Sequence, residues 1–358
     1  MRQLLTPVAD LGRTRFGGFA PRILLAGNAG HADIPLNAPG SGLMGWVMTM
    51  LGQTVGFPVP VGGAGVLAEA MAARLRAEGA EVRCDSEVTA IEVRGGRAVA
   101  VRTRDGERFA ARHAVIADVA APSLYGRLLP AEAVPARTRT AMASFEMDPG
   151  TVKVDWALEG PVPWAAPPPY AAGTVHVADS VEQMALAMHQ VSSQTIPAAP
   201  FLLTGQMTTT DPTRSPAGTE SLWAYTHVPQ QIRGDAGDGS VRGVWDRDDC
   251  ERFADRMQAR MEQLAPGFGS HVRARRVLGP RELEARDANL IGGGLNGGTA
   301  QIHQQLVFRP VPGLGRAETG VSGLYLGSAS AHPGGGVHGA PGSNAARAAI
   351  AHRRRVLW

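Results

Sequence analysis

The sequence predicts a mixed α/β chain with a change of pattern in its middle. Three observations lead there. Near the C-terminus, the apolar run Leu324-Tyr325-Leu326 is followed by a glycine-rich turn and an alanine-rich segment from Asn344 to Ala351. That order reads as strand, loop, helix. Between Glu87 and Asp118, apolar alternation is punctuated by Gly95-Gly96 and Asp105-Gly106, two hairpin signals. From Ala121 to Asn289 the pattern changes to longer alternating strands and amphipathic helices.

Taken in order, residues 1–20 read as irregular, and Ile23–Ala26 as a strand or a helix end. Residues 30–42, with His31, Pro35, Pro39, Gly40 and Gly42, read as loop. Gly40-Ser41-Gly42-Leu43-Met44-Gly45 fits GxGxxG, but the context required of a dinucleotide loop is missing. Pro35–Pro39 is no strand, and no acid occurs between Asp33 and Glu69. The better reading is a loop entering a buried helix over Leu43–Gly52. A second helix is expected over Val66–Glu78, with Leu67, Met71 and Leu75 on one face and Gly79 as its stop. Val88, Ile91 and Val93 mark the next strand, and Ala114–Ala117 is a short apolar strand ending at Asp118.

Beyond Ala121, a short helix is expected over Pro122–Leu129 and a strand over Thr151–Leu158. Pro161, Pro163, Pro167, Pro168 and Pro169 stiffen an irregular loop. A helix capped by Asp179 should run to Gln194 and carry Met184 and Met188. Phe201–Met207 and Glu220–Val228 read as paired strands, with Trp223, Tyr225 and His227 on one face. Asp246–Leu264 is a long helix with Phe253 and Met257 in its buried stripe. Arg273, Arg275 and Arg276 read as a solvated strand surface.

Composition bounds the function classes. The 358 residues allow one large or two ordinary domains. A formal net charge of +3 does not call for a nucleic-acid partner. Cys84 and Cys250 stand far apart and form no motif, which suits a reducing compartment. No run of eighteen apolar residues and no clear signal peptide occur, so a cytoplasmic protein is expected. HExxH, GxSxG and Walker loops are absent. His332 and His338 lack a third ligand, so no metal is assigned. His303 reads as structural, and no catalytic residue is assigned.

The string Gly327-Ser328-Ala329-Ser330-Ala331-His332-Pro333-Gly334-Gly335-Gly336-Val337-His338-Gly339, with Gly342 and Asn344-Ala345-Ala346, carries a resemblance. It is similar to the C-terminal flavin motif of the phytoene-desaturase-like amine-oxidase superfamily, in its pyridine-nucleotide-disulfide-oxidoreductase-domain-2-like branch. Pro58–Gly79, Val88–Asp118 and Gln304–Pro312, with Gln304, Gln305, Arg309 and Pro310, also resemble that family. The resemblance implies an FAD/NAD(P)-binding-like core interrupted by a substrate-binding domain. The core would comprise residues 55–120 and 290–358, and the substrate domain residues 121–289 together with 1–54. It implies FAD as cofactor, with Gly62, Gly63, Val88, Gly327, Pro333, Gly334, Gly335, Gly336, Val337 and Asn344 at the cofactor.

The activity implied is a desaturase- or dehydrogenase-type oxidation of a hydrophobic, polyene- or isoprenoid-like small molecule. Met184, Met188, Trp223 and Tyr225 are the expected cavity lining, and membrane contact would be peripheral. The family's N-terminal βαβ unit, with its GxGxxG loop, has no counterpart before Pro58. The chain is therefore expected to hold FAD weakly unless a partner subunit supplies that unit. The alternative is a non-catalytic, FAD-deficient binding protein.

Overall fold

The computed structural model describes residues 5–167 and 170–356; Pro168 and Pro169 of the expected proline loop lie outside them. Its longer helices are α1 (Val8–Arg15), α2 (Phe19–Gly30), α3 (Ser41–Thr54), α4 (Ala64–Ala77), α5 (Ala136–Met142), α6 (Val181–Ser192), α7 (Arg247–Leu264), α8 (Pro280–Arg286) and α9 (Ala340–Val356). Its strands of three or more residues are β1 (Val88–Arg94), β2 (Arg97–Thr103), β3 (Arg108–Ala110), β4 (Val115–Ala117), β5 (Gly150–Leu158), β6 (Thr174–Val177), β7 (Leu202–Gln206), β8 (Glu220–Val228), β9 (Val272–Leu278) and β10 (Leu324–Leu326). Two compact units form: residues 1–82 with 149–286, and residues 83–148 with 287–358. Residues 55–82 therefore group with the first unit, and 121–148 with the second.

The first unit is built on a five-stranded antiparallel sheet, in the order β9-β5-β8-β7-β6. Strand alternation sends its residues to two covered faces. Val152, Val154, Trp156 and Leu158 share one apolar cluster with Phe253, Met257 and Met261 of α7. Leu203 and Tyr225 meet the other cluster, with Leu25 and Ala29 of α2 and Met184 and Met188 of α6. Asp246 caps α7 by accepting the Asp249 N–H at 3.0 Å. On α6 the cap is Ser180, whose Oγ accepts the Gln183 N–H at 3.0 Å, one residue later than the expected Asp179.

Residues 8–15 and 19–30 are helical, which corrects the irregular reading of residues 1–20 and decides Ile23–Ala26 for helix over strand. The GxGxxG string serves helix packing. Gly40 precedes α3 at φ 93°, and a Cβ on Gly42 or Gly45 would lie 2.4 Å from the Thr6 carbonyl oxygen or 2.7 Å from that of Leu25. Only that face of α3 is buried; Trp46 and Met50 are exposed, so the helix is amphipathic by position and not buried all round. On α4 the apolar stripe is uncovered: Leu67 is 44%, Met71 62% and Leu75 51% exposed.

The second unit contains the antiparallel meander β1-β2-β3 and a parallel pair, β4 with β10. Gly95 and Gly96 both have positive φ, as the tight β1–β2 turn requires. The Pro122–Leu129 segment is a helical turn over Ala121–Ser123 continued by a π turn over Leu124–Leu128. Ile91, Leu124, Leu128, Leu324 and Leu326 belong to the core of this unit. Among the described residues, no helix is long and apolar enough to cross a membrane.

Candidate functional site: a clamped glycine loop

β10 pairs with β4 in the register Leu324–Val115, Tyr325–Ile116, Leu326–Ala117. Gly327 extends the pair, donating its N–H to the Ala117 carbonyl at 2.9 Å. A Cβ on Gly327 would sit 3.1 Å from Ile116 and 3.5 Å from Ala345, so strand and helix approach closely there. The chain then turns through Ser328–Gly339 into α9. Ser328 and Ser330 tie down the start of the turn, donating at 2.7 Å to the carbonyls of Val119 and Gly297.

Arg309 fixes the rest. Its side chain is buried, and every acceptor it reaches is a backbone carbonyl. Nε and Nη2 donate to Ala329 at 3.0 and 2.8 Å; Nη2 also reaches Asn296 at 2.7 Å, and Nη1 reaches Thr299 at 2.9 Å. Burial pushes the guanidinium down to about 10, and the nearby Asp148 carboxylate opposes that shift. Asp148 is itself fully buried. It accepts the N–H groups of Asn296 and Gly298 at 2.7 and 2.8 Å. The acid and the arginine thus hold segment 296–299 from two sides, by its N–H groups and by its carbonyls.

That segment is the floor under the triple glycine. A Cβ on Gly335 would lie 2.8 Å from Asn296 Oδ1 and 3.1 Å from its Cα. Gly334 and Gly336 have φ of 109° and 142°, a region that side chains disfavour. Gln305 donates to the Thr299 carbonyl, and Gln304 exchanges hydrogen bonds with the backbone of Glu146. The sequence segment Gln304–Pro310 therefore acts as the frame of the loop.

Among the described residues, the N–H groups of Gly335, Gly336, Val337, Gly339 and Gly342 make no hydrogen bond within the chain. His338 precedes α9, its Nδ1 accepting the Ala340 N–H at 3.0 Å. Asn344 donates to the His332 carbonyl at 3.4 Å, and Pro333 follows a cis peptide bond. Val337 is almost fully exposed. The fit to a flavin rests on this set: unspent backbone donors on a glycine-rich loop beside a helix start, suited to carbonyl or phosphate oxygens.

The other expected cofactor residues lie elsewhere. Val88 opens β1 in the second unit, paired with Thr103. Gly62 and Gly63 belong to the first unit. The Gly62 N–H donates to Asp211 at 2.7 Å, and a Cβ on Gly63 would meet the Arg214 guanidinium at 2.8 Å. Met184 and Met188 are packed core, with Tyr225 at the margin of that cluster and Trp223 stacked on Tyr225 at 5.8 Å. His303 is exposed and faces Glu146 at 3.3 Å. No cluster of three or more metal-ligating side chains occurs among the described residues.

The first unit also buries a polar cluster that sequence reading missed. His31 and His176 face each other Nε2 to Nε2 at 2.9 Å, and His227 lies 2.8 Å from Asp33. Tyr225 meets the His227 ring edge to face. Burial pushes His176 down to about 4, and the adjacent His31 adds to that shift.

A profile of the family described as flavin containing amine oxidoreductase matches residues 14–164. Pyridine nucleotide-disulfide oxidoreductase domain-containing protein 2 of Mus musculus is 30% identical over 361 residues, spanning 96% of this chain and 60% of its own length. In sequence the chain is therefore similar to flavin containing amine oxidoreductases over residues 14–164, and over nearly its whole length to this relative. Another relative, a neurosporene-forming phytoene desaturase of Rhodobacter capsulatus, is 28% identical over 83% of this chain and 54% of its own length. The chain thus spans a little over half the length of these curated relatives. Two solved structures share the fold. A putrescine oxidase double mutant superposes with TM-score 0.60 at 12% identity, covering 98% of this chain and 68% of that one. An oxidoreductase from Methanosarcina mazei gives 0.58 at 15% identity, covering 91% and 63%.

Proposed function

We propose that this chain forms much of an FAD-dependent oxidoreductase that oxidises a hydrophobic small molecule by a desaturase- or dehydrogenase-type reaction. The observation that carries the reading is the loop from Gly334 to Gly342: unspent backbone donors, three consecutive glycines, and a frame fixed by Arg309 and Asp148. FAD, when bound, supplies the hydride acceptor. The chain's own part is to hold one edge of the ring by backbone N–H groups and to keep that backbone from relaxing. Trp223 and Tyr225, half-buried and stacked, are the proposed apolar wall for substrate.

A second reading has its own observation. The Leu67, Met71 and Leu75 face of α4 is uncovered, and Ile116 on β4 is 47% exposed. An apolar stripe of this kind is covered in most folded proteins by a neighbour. We infer that a partner subunit or further segment carrying a dinucleotide-binding βαβ unit completes the cofactor site. The chain alone then binds FAD weakly, or serves only as a binding partner.

Titration with FAD, followed by quenching of flavin fluorescence, tests both readings. Weak binding by the chain alone, strengthened by a supplied βαβ unit and lost in Gly335→Val, supports the proposal. Tight stoichiometric binding by the chain alone overturns the second reading. Absence of binding with the unit supplied overturns the first.

A further inference from the structure

Two adjoining cavities of the second unit, of about 640 and 690 Å³, share Glu318, Gly320 and His352. The first is lined by Ser322, Gly323 and Leu324, at the N-terminal end of β10. The glycine loop leaves the C-terminal end of that strand, so these cavities belong to a different site.

The first cavity gathers Arg97, Arg112 and Arg353, with His113 and His352. Its single carboxylate is Glu318, 3.8 Å from His352 Nε2. His352 is held from its other nitrogen by the Tyr325 hydroxyl at 2.9 Å. Arg97 donates to the His113 carbonyl at 2.8 Å and to Ser322 Oγ at 3.5 Å, both neutral acceptors. Among the described residues, none of the three arginines has a carboxylate partner. By contrast, Arg102 and Arg108 share Glu92. Here the positive charge is left over, facing a concave surface.

The second cavity continues the groove past Glu318 to Val307 and Phe308, which are 65% and 44% exposed. Arg137 and Arg316 also line it, so positive charge accompanies the apolar surface. A groove with surplus guanidinium groups at one end and exposed aliphatic and aromatic side chains at the other matches one ligand chemistry. Guanidinium pairs with phosphate through charge-assisted hydrogen bonds, and apolar side chains take a hydrocarbon body.

We propose that this groove binds an anionic amphiphile: a phosphate-type head against Arg97 and Arg112, and an apolar chain over Val307 and Phe308. The inference is independent of the flavin reading. The test uses the full chain and three probes in isothermal titration calorimetry, all below any micelle-forming concentration: dodecyl phosphate, inorganic phosphate and dodecanol. One dodecyl phosphate per chain should bind, at least about tenfold tighter than either other probe. Arg112 makes no hydrogen bond within the described residues, so Arg112→Gln should fold and weaken dodecyl phosphate about tenfold, the effect of one charged hydrogen bond. Phe308→Ser should weaken dodecyl phosphate and leave inorganic phosphate unchanged. Equal affinity for dodecanol, several ligands per chain, no binding, or an unaltered affinity in Arg112→Gln combined with Arg97→Gln would each overturn the proposal.

Discussion

Arg309 donates two hydrogen bonds to one carbonyl, that of Ala329, from Nε at 3.0 Å and from Nη2 at 2.8 Å. The same side chain binds Asn296 and Thr299, so one guanidinium joins the glycine-rich 296–299 segment to the start of the 328–339 turn. Lysine keeps the charge but has no planar fork and cannot bridge these acceptors together. Arg309→Lys should cost about 2–4 kcal/mol of stability through orphaned buried carbonyls. Arg309→Met should cost more, because the buried Asp148 charge then loses its compensation. Thermal and urea unfolding of the variants measure this; a shift near zero would show that the loop keeps its shape without the clamp.

Gly335 and Gly65 make a matched pair of glycine substitutions. A methyl at Gly335 meets Asn296 backbone and side chain at 3.1 and 2.8 Å, whereas nothing lies within 4 Å of one at Gly65. Gly335→Ala should destabilise by about 1–3 kcal/mol through overpacking, and should weaken flavin binding. Gly65→Ala, inside α4, should stabilise by about 0.5–1 kcal/mol. Equal effects in urea melts would contradict the close approach at Asn296.

The exposed face of α4 yields a third expectation. Because Leu67, Met71 and Leu75 touch water, changing all three to Gln should alter the stability of the isolated chain by no more than about 0.5 kcal/mol. Dye binding to exposed apolar surface should fall in the same variant. If a completing subunit is added, its association should be lost. A large drop in stability would mean that this stripe is packed in solution.

The sequence made the long periodic elements legible. Phe253 and Met257 at i, i+4 with Asp246 as cap located α7, and alternation placed Trp223, Tyr225 and His227 on one face of β8. The glycine string was legible because it is long and lies between an apolar strand and an alanine-rich helix. Its clamp was not. Arg309 reaches only backbone carbonyls, and Asp148 accepts the backbone N–H groups of Asn296 and Gly298, contacts that no side-chain motif announces. The His31–His176 pair was hidden for another reason. His31 falls in the 30–42 segment that reads as loop, and it meets His176 only through the fold, where Gly27 lets the His176 ring approach to 2.5 Å from where a Cβ would be.

That pair contributes to the pH dependence of stability. Burial, then His31, brings His176 down to about 4 in the folded chain, against an ordinary value of 6.5. His31 is also lowered, chiefly by burial, with Asp33 opposing and His227 reinforcing the shift. Both imidazoles are therefore neutral in the fold at a pH where the unfolded chain is protonated. Between about pH 6.5 and 4 the unfolded state binds more protons, so stability rises with pH and is lost as pH falls. His176 contributes a slope of up to about 1.4 kcal/mol per pH unit in that window, and His31 adds to it. Above pH 6.5 both states are neutral and the slope from these groups vanishes. Below 4 both are protonated at His176, and its slope vanishes again. Urea unfolding at half-unit steps from pH 4.5 to 7.5 measures the profile. His176→Phe removes one titrating group, so its profile should be flatter in that window by about one proton. An unchanged slope in the variant would mean that His176 titrates normally in the folded chain.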